Sequence, residues 1–321
     1  MTDAPAPTCG PSSDKQADCA RTQPPTAMAG LADRCETSPR AIAVPIAGAE
    51  RPVIMGVLNV TPDSFSDGGR FAASDAAIRQ GLDLARQGAA IVDVGGESTR
   101  PGARRVSAAT EQRRVLPVIE GLRAAAADLV ISVDTMRAST ARAVVQAGAS
   151  IVNDVSGGLA DPDMLRVVAD LDCDYICQHW RASSDVMGDH AGYVDVVAEV
   201  HAELQERLRA VFAAGIATER VIIDPGLGFA KQRAHDWALI GELASFTALG
   251  HRVLVGASRK RFLAQPGDTP VDRDAATAAI SLLAAKAGVW AVRVHNPMAT
   301  VQAFSVLDCC RDSARVLGHP R

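Results

Sequence analysis

A chain of 321 residues with 48% hydrophobic side chains can bury a large core, and this length allows either two ordinary domains or one α/β barrel. A formal net charge of -4 without a long run of one sign gives no electrostatic footprint for nucleic acid or for a membrane surface. The totals therefore favour a small-molecule partner, with no nucleic acid and no membrane among the partners.

The N-terminal part differs in composition from the rest of the chain. Residues 1–50 are rich in Pro, Ala, Thr and Ser and lack apolar periodicity, so we predict a disordered extension there and one folded domain over 51–321. The seven cysteines contain no C-x-x-C pair, which indicates reduced thiols. No segment has the length and apolar content of a membrane span, and the N-terminus lacks the layout of a signal peptide. These features predict a cytoplasmic protein.

Short runs rich in Val, Ile and Leu alternate with longer segments of helical spacing from residue 53 onward. The eight predicted strands lie at 53–59, 89–96, 129–135, 149–156, 174–180, 220–226, 251–258 and 290–296. The spacing predicts a helix over 74–85. Four glycines suit helix C-caps, namely Gly88, Gly148, Gly215 and Gly288. Because the strands show no alternating polar face, we expect a parallel sheet covered by helices. Eight such units favour an α/β fold of the closed (β/α)8 TIM-barrel type over a doubly wound sheet.

Polar side chains follow seven of the eight predicted strands. They are Asn59, Asp93, 97–100, Asp134, Asn153, Asp154, Asp224, 258–260, Arg293 and His295. In a barrel of this type the strand ends form one face, where the loops carry the chemistry. A single Asp at a strand end is more often a helix cap or turn former, and this alternative stays open for Asp63, Asp67 and Asp161. Inward polar groups on so many strands need partners, which indicates a ligand site.

The residue types indicate what such a ligand contains. Asp134, Asn153 and Asp224 can pair with the edge of a planar amide-amidine heterocycle such as guanine or pterin. Four cationic side chains suit phosphate oxygens, namely Arg100, Lys260, Arg293 and His295. The 259–261 cluster opens a predicted helix, where anions are favoured, although a solvated basic face remains an alternative. No segment fits the G-x-G-x-x-G or P-loop spacing, so neither a dinucleotide nor an NTP is supported.

Seven motifs resemble, in order, those of the dihydropteroate synthase family, and the resemblance extends over 53–317. They are LNVTPDSFSDGG at 58–69, DVGGESTRPG at 93–102, SVDT at 132–135, VNDVSGG at 152–158, DPGLGFAK at 224–231, GASRK at 256–260 and RVH at 293–295. The stretch CQHWRA at 177–182 resembles the actinobacterial branch of the family. The resemblance implies an enzyme that joins 6-hydroxymethyl-7,8-dihydropterin pyrophosphate to p-aminobenzoate and releases pyrophosphate with the help of Mg²⁺. It also implies a homodimer and a target of sulfonamides.

The resemblance further implies a role for each matching residue. The pterin would be held by Asp134, Asn153, Asp224 and Lys260. Asn59 would lie near Mg²⁺, and the pyrophosphate would contact Arg100, Arg293 and His295. The p-aminobenzoate pocket would be lined by Phe65, Thr99, Pro101, Phe229, Ser258 and Arg259, and Asp67 is a further predicted substrate-binding residue. The predicted catalytic residues are Asp134, Lys260, Arg293 and His295.

The motif at 58–69 is interpreted as a lid, in which Asn59 stays at the strand end and Phe65 closes on the aromatic substrate. One departure from the family pattern is Asn296, which stands where the family commonly has Asp. Two alternatives remain at this point, a corrinoid-dependent methyltransferase that binds pterin and a paralogue that binds pterin without turnover. For the synthase we hypothesise a dissociative reaction, in which pyrophosphate leaves before the arylamine attacks.

Overall fold

The computed structural model describes residues 51–60, 69–98, 105–183 and 185–316. The predicted N-terminal extension at 1–50 lies outside the described residues, and so does most of the predicted lid. Five predicted site residues are also outside them, namely Phe65, Asp67, Thr99, Arg100 and Pro101. The predictions for these parts of the chain therefore remain predictions.

Eight parallel strands close into a barrel in which each strand pairs with the next and β8 pairs with β1. The strands are β1 Val53–Asn59, β2 Ile91–Gly95, β3 Val130–Asp134, β4 Ile151–Asp154, β5 Asp174–Gln178, β6 Val221–Asp224, β7 Arg252–Val255 and β8 Ala291–Val294. Each predicted strand is present, and the closed order confirms the (β/α)8 barrel over a doubly wound sheet.

Several strands end earlier than the sequence predicts, because polar side chains bend the backbone into the following loop. Asp154 at the end of β4 accepts a hydrogen bond at Oδ1 from the backbone N–H of Ser156, with a distance of 2.8 Å. Asp224 at the end of β6 accepts one from Gly226 at 2.7 Å. These side-chain-to-backbone turns replace the sheet hydrogen bonds of the next residues.

Helices cover the outside of the barrel. Within the described ranges they are α1 Gly69–Arg86, α2 Ala108–Ala125, α3 Ala138–Gln146, α4 Met164–Ala169, α5 Val196–Ala213, α6 Arg233–Gly241, α7 Leu243–Thr247, α8 Asp274–Lys286 and α9 Pro297–Val316. The predicted helix over 74–85 lies within α1, and the four predicted C-cap glycines all have positive φ. Gly88 has a φ of 104°, and a Cβ there would lie 2.6 Å from Cγ2 of Val301, so no other residue fits this turn.

Two hydrophobic clusters divide the core. One fills the barrel interior and contains Val53, Met55, Ile91, Ile151, Ile176, Ile222, Leu254, Trp290 and Ala291. The other joins the outer strand faces to the helices, with Val92, Ile131 and Val152 among its members. Burying each Ile or Leu contributes roughly 1.5–3 kcal/mol. Because side chains alternate along a strand, the residue two positions beyond an inward Ile also points inward. In β2, β4, β5 and β6 those residues are Asp93, Asn153, Gln178 and Asp224, so a polar layer lies above the apolar interior.

Two features of the described residues bear on the predicted environment. Cys173 and Cys177 are buried free thiols, and Cys309 and Cys310 are exposed ones. None of the described helices has both the length and the apolar character needed to cross a membrane.

Candidate active site

Asp93 is the centre of a buried polar cluster at the carboxyl end of the barrel. Its side chain is fully buried and accepts hydrogen bonds from Ser132 Oγ at 2.6 Å and Asn153 Nδ2 at 3.1 Å. Arg293 on β8 donates from Nε to Asp93 Oδ2 at 2.6 Å and from Nη2 to Asp134 Oδ2 at 3.2 Å. We call these five residues the Asp93 cluster. It brings together three predicted site residues from β3, β4 and β8 around a carboxylate on β2.

Burial has a strong effect on the acidity of Asp134. The loss of solvation raises the pKa of Asp134 to about 7, and the positive charge of Arg293 offsets only part of this effect. The neighbouring Asp93 carboxylate raises the pKa of Asp134 further. Near neutral pH this side chain can therefore either donate or accept a hydrogen bond, which suits pairing with a heterocycle edge.

Replacing Asp134 with Asn is expected to stabilise the fold more at high pH than at low pH. Because the folded pKa of Asp134 lies above its unfolded value, the folded state binds the extra proton, and its stability falls as pH rises between the two values. Asn does not titrate, so the Asp134→Asn variant escapes this loss. The Tm of the variant minus the Tm of the wild type should be more positive at about pH 8 than at about pH 5. The exposed Asp128→Asn variant is the control, and an Asp134→Asn difference that is equal at both pH values or larger at low pH would contradict the expectation.

A second group meets around Gly256, just beyond β7. A Cβ at Gly256 would lie 3.7 Å from Asp224 Oδ2, 3.9 Å from Lys260 Nζ and 3.9 Å from Arg293 Cβ, so the glycine leaves space beside all three. The Lys260 ammonium donates to the carbonyl of Leu227 and lies 4.6 Å from the ring centroid of Phe229. Burial lowers the pKa of Lys260 to about 8, although Asp224 partly offsets this, and burial also raises the pKa of Asp224.

The loop after β7 also contacts β8 and α8. His295 donates its backbone N–H to Ser258 Oγ at 3.1 Å, and its ring Nδ1 lies 3.0 Å from the same oxygen. Arg259 has a φ of 59°, an uncommon conformation for a residue with a side chain, and it forks onto Asp274 at 2.7 and 2.8 Å. In this structure Arg259 is therefore held by α8. Asn296 donates to Asp274 Oδ2 at 3.1 Å and accepts from the N–H of Ala299 at 3.2 Å, so the departure from the family pattern is accommodated by a cap on α9.

Asn59 is the predicted residue near the metal. It is half-buried at the end of β1, and its Oδ1 would lie 3.7 Å from a Cβ at Gly95, so it faces the same end of the barrel as the Asp93 cluster. The described residues contain no group of three or more His, Cys, Asp or Glu side chains that could hold a metal ion. A single amide oxygen fits Mg²⁺ only when substrate phosphates and water complete the shell, which is how Mg²⁺ is usually bound.

Sequence reasoning missed several members of the site. It noted Asp93 at a strand end but gave it no role, and it assigned no polar contribution to β5. Gln178 on β5 is 5% exposed and pairs in register with Asp224. The available signal was the alternation itself, since Ile176 points into the barrel and the residue two positions on must do so too.

The loop between β2 and α2 has a buried anchor that the sequence did not reveal. Glu97 pairs with Arg105 Nε at 2.7 Å and with Arg137 Nη1 at 2.6 Å. Arg137 also contacts Glu111 at 3.0 Å, and Glu111 accepts from Thr140 at 2.8 Å. This network ties Glu97 and Arg105, which flank 99–104, to α2 and to the start of α3.

A closed (β/α)8 barrel with buried carboxylates, a buried amide and partly buried cations at its carboxyl face has the arrangement of a barrel enzyme that acts on a small molecule. The family model described as "Pterin binding enzyme" matches residues 55–295. The dihydropteroate synthase of Mycobacterium leprae is 49% identical over 262 residues, which cover 79% of this chain and 92% of the relative. The chain belongs to the dihydropteroate synthase family of pterin-binding enzymes.

Solved structures agree with this membership. The dihydropteroate synthase of Xanthomonas albilineans with 4-aminobenzoic acid is 45% identical, has a TM-score of 0.76, and the match covers 81% of this chain and 93% of that one. A structure of the same relative in complex with 7,8-dihydropteroate has a TM-score of 0.73 at 41% identity and covers 81% of this chain and 94% of that one. The Yersinia pestis enzyme with a sulfonamide drug complex has a TM-score of 0.76 at 35% identity, covering 83% and 98%.

Proposed function

We propose that this chain is a dihydropteroate synthase, which condenses 6-hydroxymethyl-7,8-dihydropterin pyrophosphate with p-aminobenzoate to give 7,8-dihydropteroate and pyrophosphate. The observation that carries the proposal is the Asp93 cluster beside Asp224 and Lys260, a buried set of paired hydrogen-bonding groups at the barrel face where catalysis occurs. The synthase relatives cover the whole barrel, which favours this reaction over the corrinoid-dependent alternative.

The pterin ring is proposed to lie over the Asp93 cluster. Asn153 donates to Asp93 through Nδ2, which leaves its Oδ1 to accept from the ring. Asp224 uses Oδ1 for Gly226 and directs Oδ2 toward the space at Gly256, where an amidine N–H can reach it. Asp134 can donate or accept because its pKa is raised to about 7 by burial. Amide and amidine groups of one planar ring match this set of donors and acceptors.

The arylamine is proposed to bind beside Phe229. A small cavity there is lined on one side by the apolar side chains of Met136, Val155, Trp180 and Phe229 and on the other by Glu97, Ser98, Arg105 and Ser183. We propose that the apolar side chains are the ones that contact the benzene ring. Ser258 and Arg259 lie on the neighbouring loop after β7, as the family resemblance implies. A sulfonamide has the shape of this substrate, and we extend the proposal to inhibition of this chain by sulfonamides.

The proposed chemistry is dissociative. The C–O bond between the pterin methylene and pyrophosphate breaks, and its electron pair leaves with the oxygen. The amine nitrogen of p-aminobenzoate then supplies the pair for the new C–N bond and loses one proton to pyrophosphate or water. Arg293 and His295 are proposed to stabilise the negative charge of the departing pyrophosphate. The Asp93 and Asp134 carboxylates are proposed to stabilise the positive charge that develops on the pterin. An arylamine is already a free nucleophile, so no strong general base is needed.

Magnesium is a further part of the proposal. When bound, Mg²⁺ would neutralise charge on the pyrophosphate, and Asn59 would be its protein ligand together with phosphate oxygens and water. The side-chain oxygen of Asn59 at the carboxyl end of β1 supports this assignment.

The proposal includes a cytoplasmic homodimer. Large apolar side chains are exposed on the two C-terminal helices, including Leu283 on α8 and Met298 and Val306 on α9. Contiguous exposed apolar patches are typical of protein interfaces, and we propose that these three side chains belong to one. The free thiols of the described cysteines suit a reducing compartment.

Pyrophosphate release by the purified chain is expected to require both p-aminobenzoate and Mg²⁺. The rate should fall to background when EDTA is added and should recover when excess Mg²⁺ is restored, because the metal balances the leaving charge. Direct separation and quantification of pyrophosphate by ion chromatography, with and without the arylamine, measures this. Release that persists at the same rate in EDTA would contradict the metal assignment. Saturable pterin binding without any release would instead indicate a paralogue that lacks turnover.

A further inference from the structure

The loop that follows β6 has an unusual backbone. Its residues 225–231, here called the β6 loop, include three positions with positive φ, namely Gly226 at 69°, Gly228 at 72° and Ala230 at 47°. Ala230 is not a glycine, so its conformation is strained and needs support from its surroundings. Phe229, the proposed wall of the arylamine pocket, lies between two of these positions. The loop must therefore be held in place for Phe229 to be held in place.

Lys231 supplies much of this support. Its ammonium donates to the carbonyl of Gly226 at 3.0 Å, to the carbonyl of Phe229 at 3.1 Å and to Nδ1 of His179 at 2.9 Å. An ammonium has three N–H donors, and all three are used here. The contacts join the first and middle parts of the β6 loop to each other and to the end of β5. Lys231 therefore binds the loop at Gly226 and Phe229, and Lys260 donates to the carbonyl of Leu227 between them.

His179 extends this contact to the helix layer. It is buried at 1% exposure, and its Nε2 lies 2.8 Å from Glu203 on α5. Burial and the charge of Lys231 lower the pKa of His179 to about 4, so the neutral ring donates from Nε2 to Glu203 and accepts at Nδ1 from Lys231. Arg181 donates to Glu203 at 3.0 Å and to Glu199 at 2.8 Å, and these contacts hold the Glu203 carboxylate in place.

The close approach of the backbones leaves little freedom in this arrangement. A Cβ at Gly226 would lie 2.4 Å from the carbonyl oxygen of His179, and the N–H of His179 donates to the carbonyl of Asp224 at 2.8 Å. The N–H of Gly228 donates to Asp236 on α6 at 2.6 Å. The β6 loop is thus held between β5 and α6, and Lys231 is the side chain within it that binds its own carbonyls.

We infer that Lys231 is a positioning residue for the arylamine site, which fixes Phe229 through a hydrogen-bonded chain that runs from the β6 loop through His179 to Glu203 on α5. This inference rests on the proposed function and deepens it. Lys231 does not act on the reacting atoms. Its effect reaches the arylamine through the carbonyl of Phe229. Asp224, the proposed pterin contact, is bound by the N–H of Gly226, whereas Lys231 binds the carbonyl of Gly226, which belongs to the next peptide group, so we expect the smaller effect on the pterin.

The test replaces Lys231 with Met, which keeps the length of the side chain and removes the donors. The burial that lowers the pKa of Lys231 to about 7 is a desolvation cost of the cation, and the Met variant escapes this cost while it loses the three hydrogen bonds. We expect the KM for p-aminobenzoate to rise about tenfold, while kcat and the KM for the pterin substrate change by less than about threefold. The control is Lys286→Met on the exposed surface of α8, which should match wild type.

A double-mutant cycle separates positioning from a general structural role. In a Phe229→Ala background, Lys231→Met should raise the arylamine KM by less than about twofold, because its effect passes through Phe229. Equal effects on both substrates, or a full effect in the Phe229→Ala background, would overturn the inference. If Lys231→Met does not fold, Glu203→Gln takes its place. It should raise the KM for p-aminobenzoate more than the KM for the pterin substrate, by a smaller factor than expected for Lys231→Met. Equal KM changes for both substrates would also overturn the inference.

The experiment also distinguishes the inference from the proposed function. Wild-type protein that makes no dihydropteroate would refute the function, and the affinity for p-aminobenzoate can then be measured directly by calorimetry in the presence of the dihydropterin pyrophosphate. A selective loss of arylamine affinity in Lys231→Met would still support the inference, and an unchanged affinity would refute it. If the wild-type protein is active and Lys231→Met changes the KM values of both substrates equally, the inference is refuted and the proposed function stands.

Discussion

Replacing Arg293 with Ala is expected to lower kcat/KM by at least about 10²-fold, since removing one preorganised electrostatic contact costs roughly 2.7–4 kcal/mol. Arg293 donates to both Asp93 and Asp134, so the variant leaves two buried carboxylates without their cation. The loss removes both the proposed stabilisation of pyrophosphate and the arrangement of the pterin site. Steady-state kinetics with both substrates measures the effect.

Arg293→Lys is the matched variant for this prediction. It keeps the positive charge but cannot fork onto two carboxylates, so it should recover only part of the lost rate. Circular dichroism and thermal melting must show that both variants remain folded. Activity of Arg293→Ala within a few-fold of wild type would reject the assigned role.

Replacing Lys260 with Ala should also lower kcat/KM by at least about 10²-fold. The ammonium of Lys260 lies beside Asp224 at Gly256 and also holds the carbonyl of Leu227, so the variant loses a cation next to the pterin and one contact to the β6 loop. Lys286→Ala on the surface of α8 is the control and should leave the rate unchanged. The rates of the two variants in one assay decide the matter, and similar rates would rule out a catalytic Lys260.

The pH dependence of the reaction should reflect the same groups. Burial raises the pKa of Asp134 to about 7 and lowers that of Lys260 to about 8, so both side chains change charge near the working pH. Such shifted values are typical of functional sites. They arise because the polar layer of the barrel lies directly above an apolar interior.

The sequence predicts the barrel well because its signal is local. The eight apolar runs and the polar residues that follow seven of them are visible without any knowledge of contacts, and Asp134, Asn153, Asp224 and Arg293 do meet at one face. The C-cap glycines are equally local, since a positive φ is a property of a single residue.

The missing parts of the site depend on contacts that are distant in sequence. Asp93 is the acceptor for residues on three other strands, and only the register of the barrel places it there. Arg259 looks like a free cation in the sequence, but Asp274 fifteen residues later binds it. Lys231 belongs to a recognisable motif, yet its function depends on His179, which is 52 residues away. Spacing along one segment cannot reveal these partners.

The identity of the product tests the proposed function most directly. The purified chain is incubated with the dihydropterin pyrophosphate, p-aminobenzoate and Mg²⁺, and the mixture is separated by chromatography with mass detection. We predict one new species with the mass of 7,8-dihydropteroate, which forms only when both substrates are present and is lost in the Arg293→Ala variant. Pterin binding without this product, or the same product from Arg293→Ala at the wild-type rate, would contradict the assignment of this barrel face as the catalytic site.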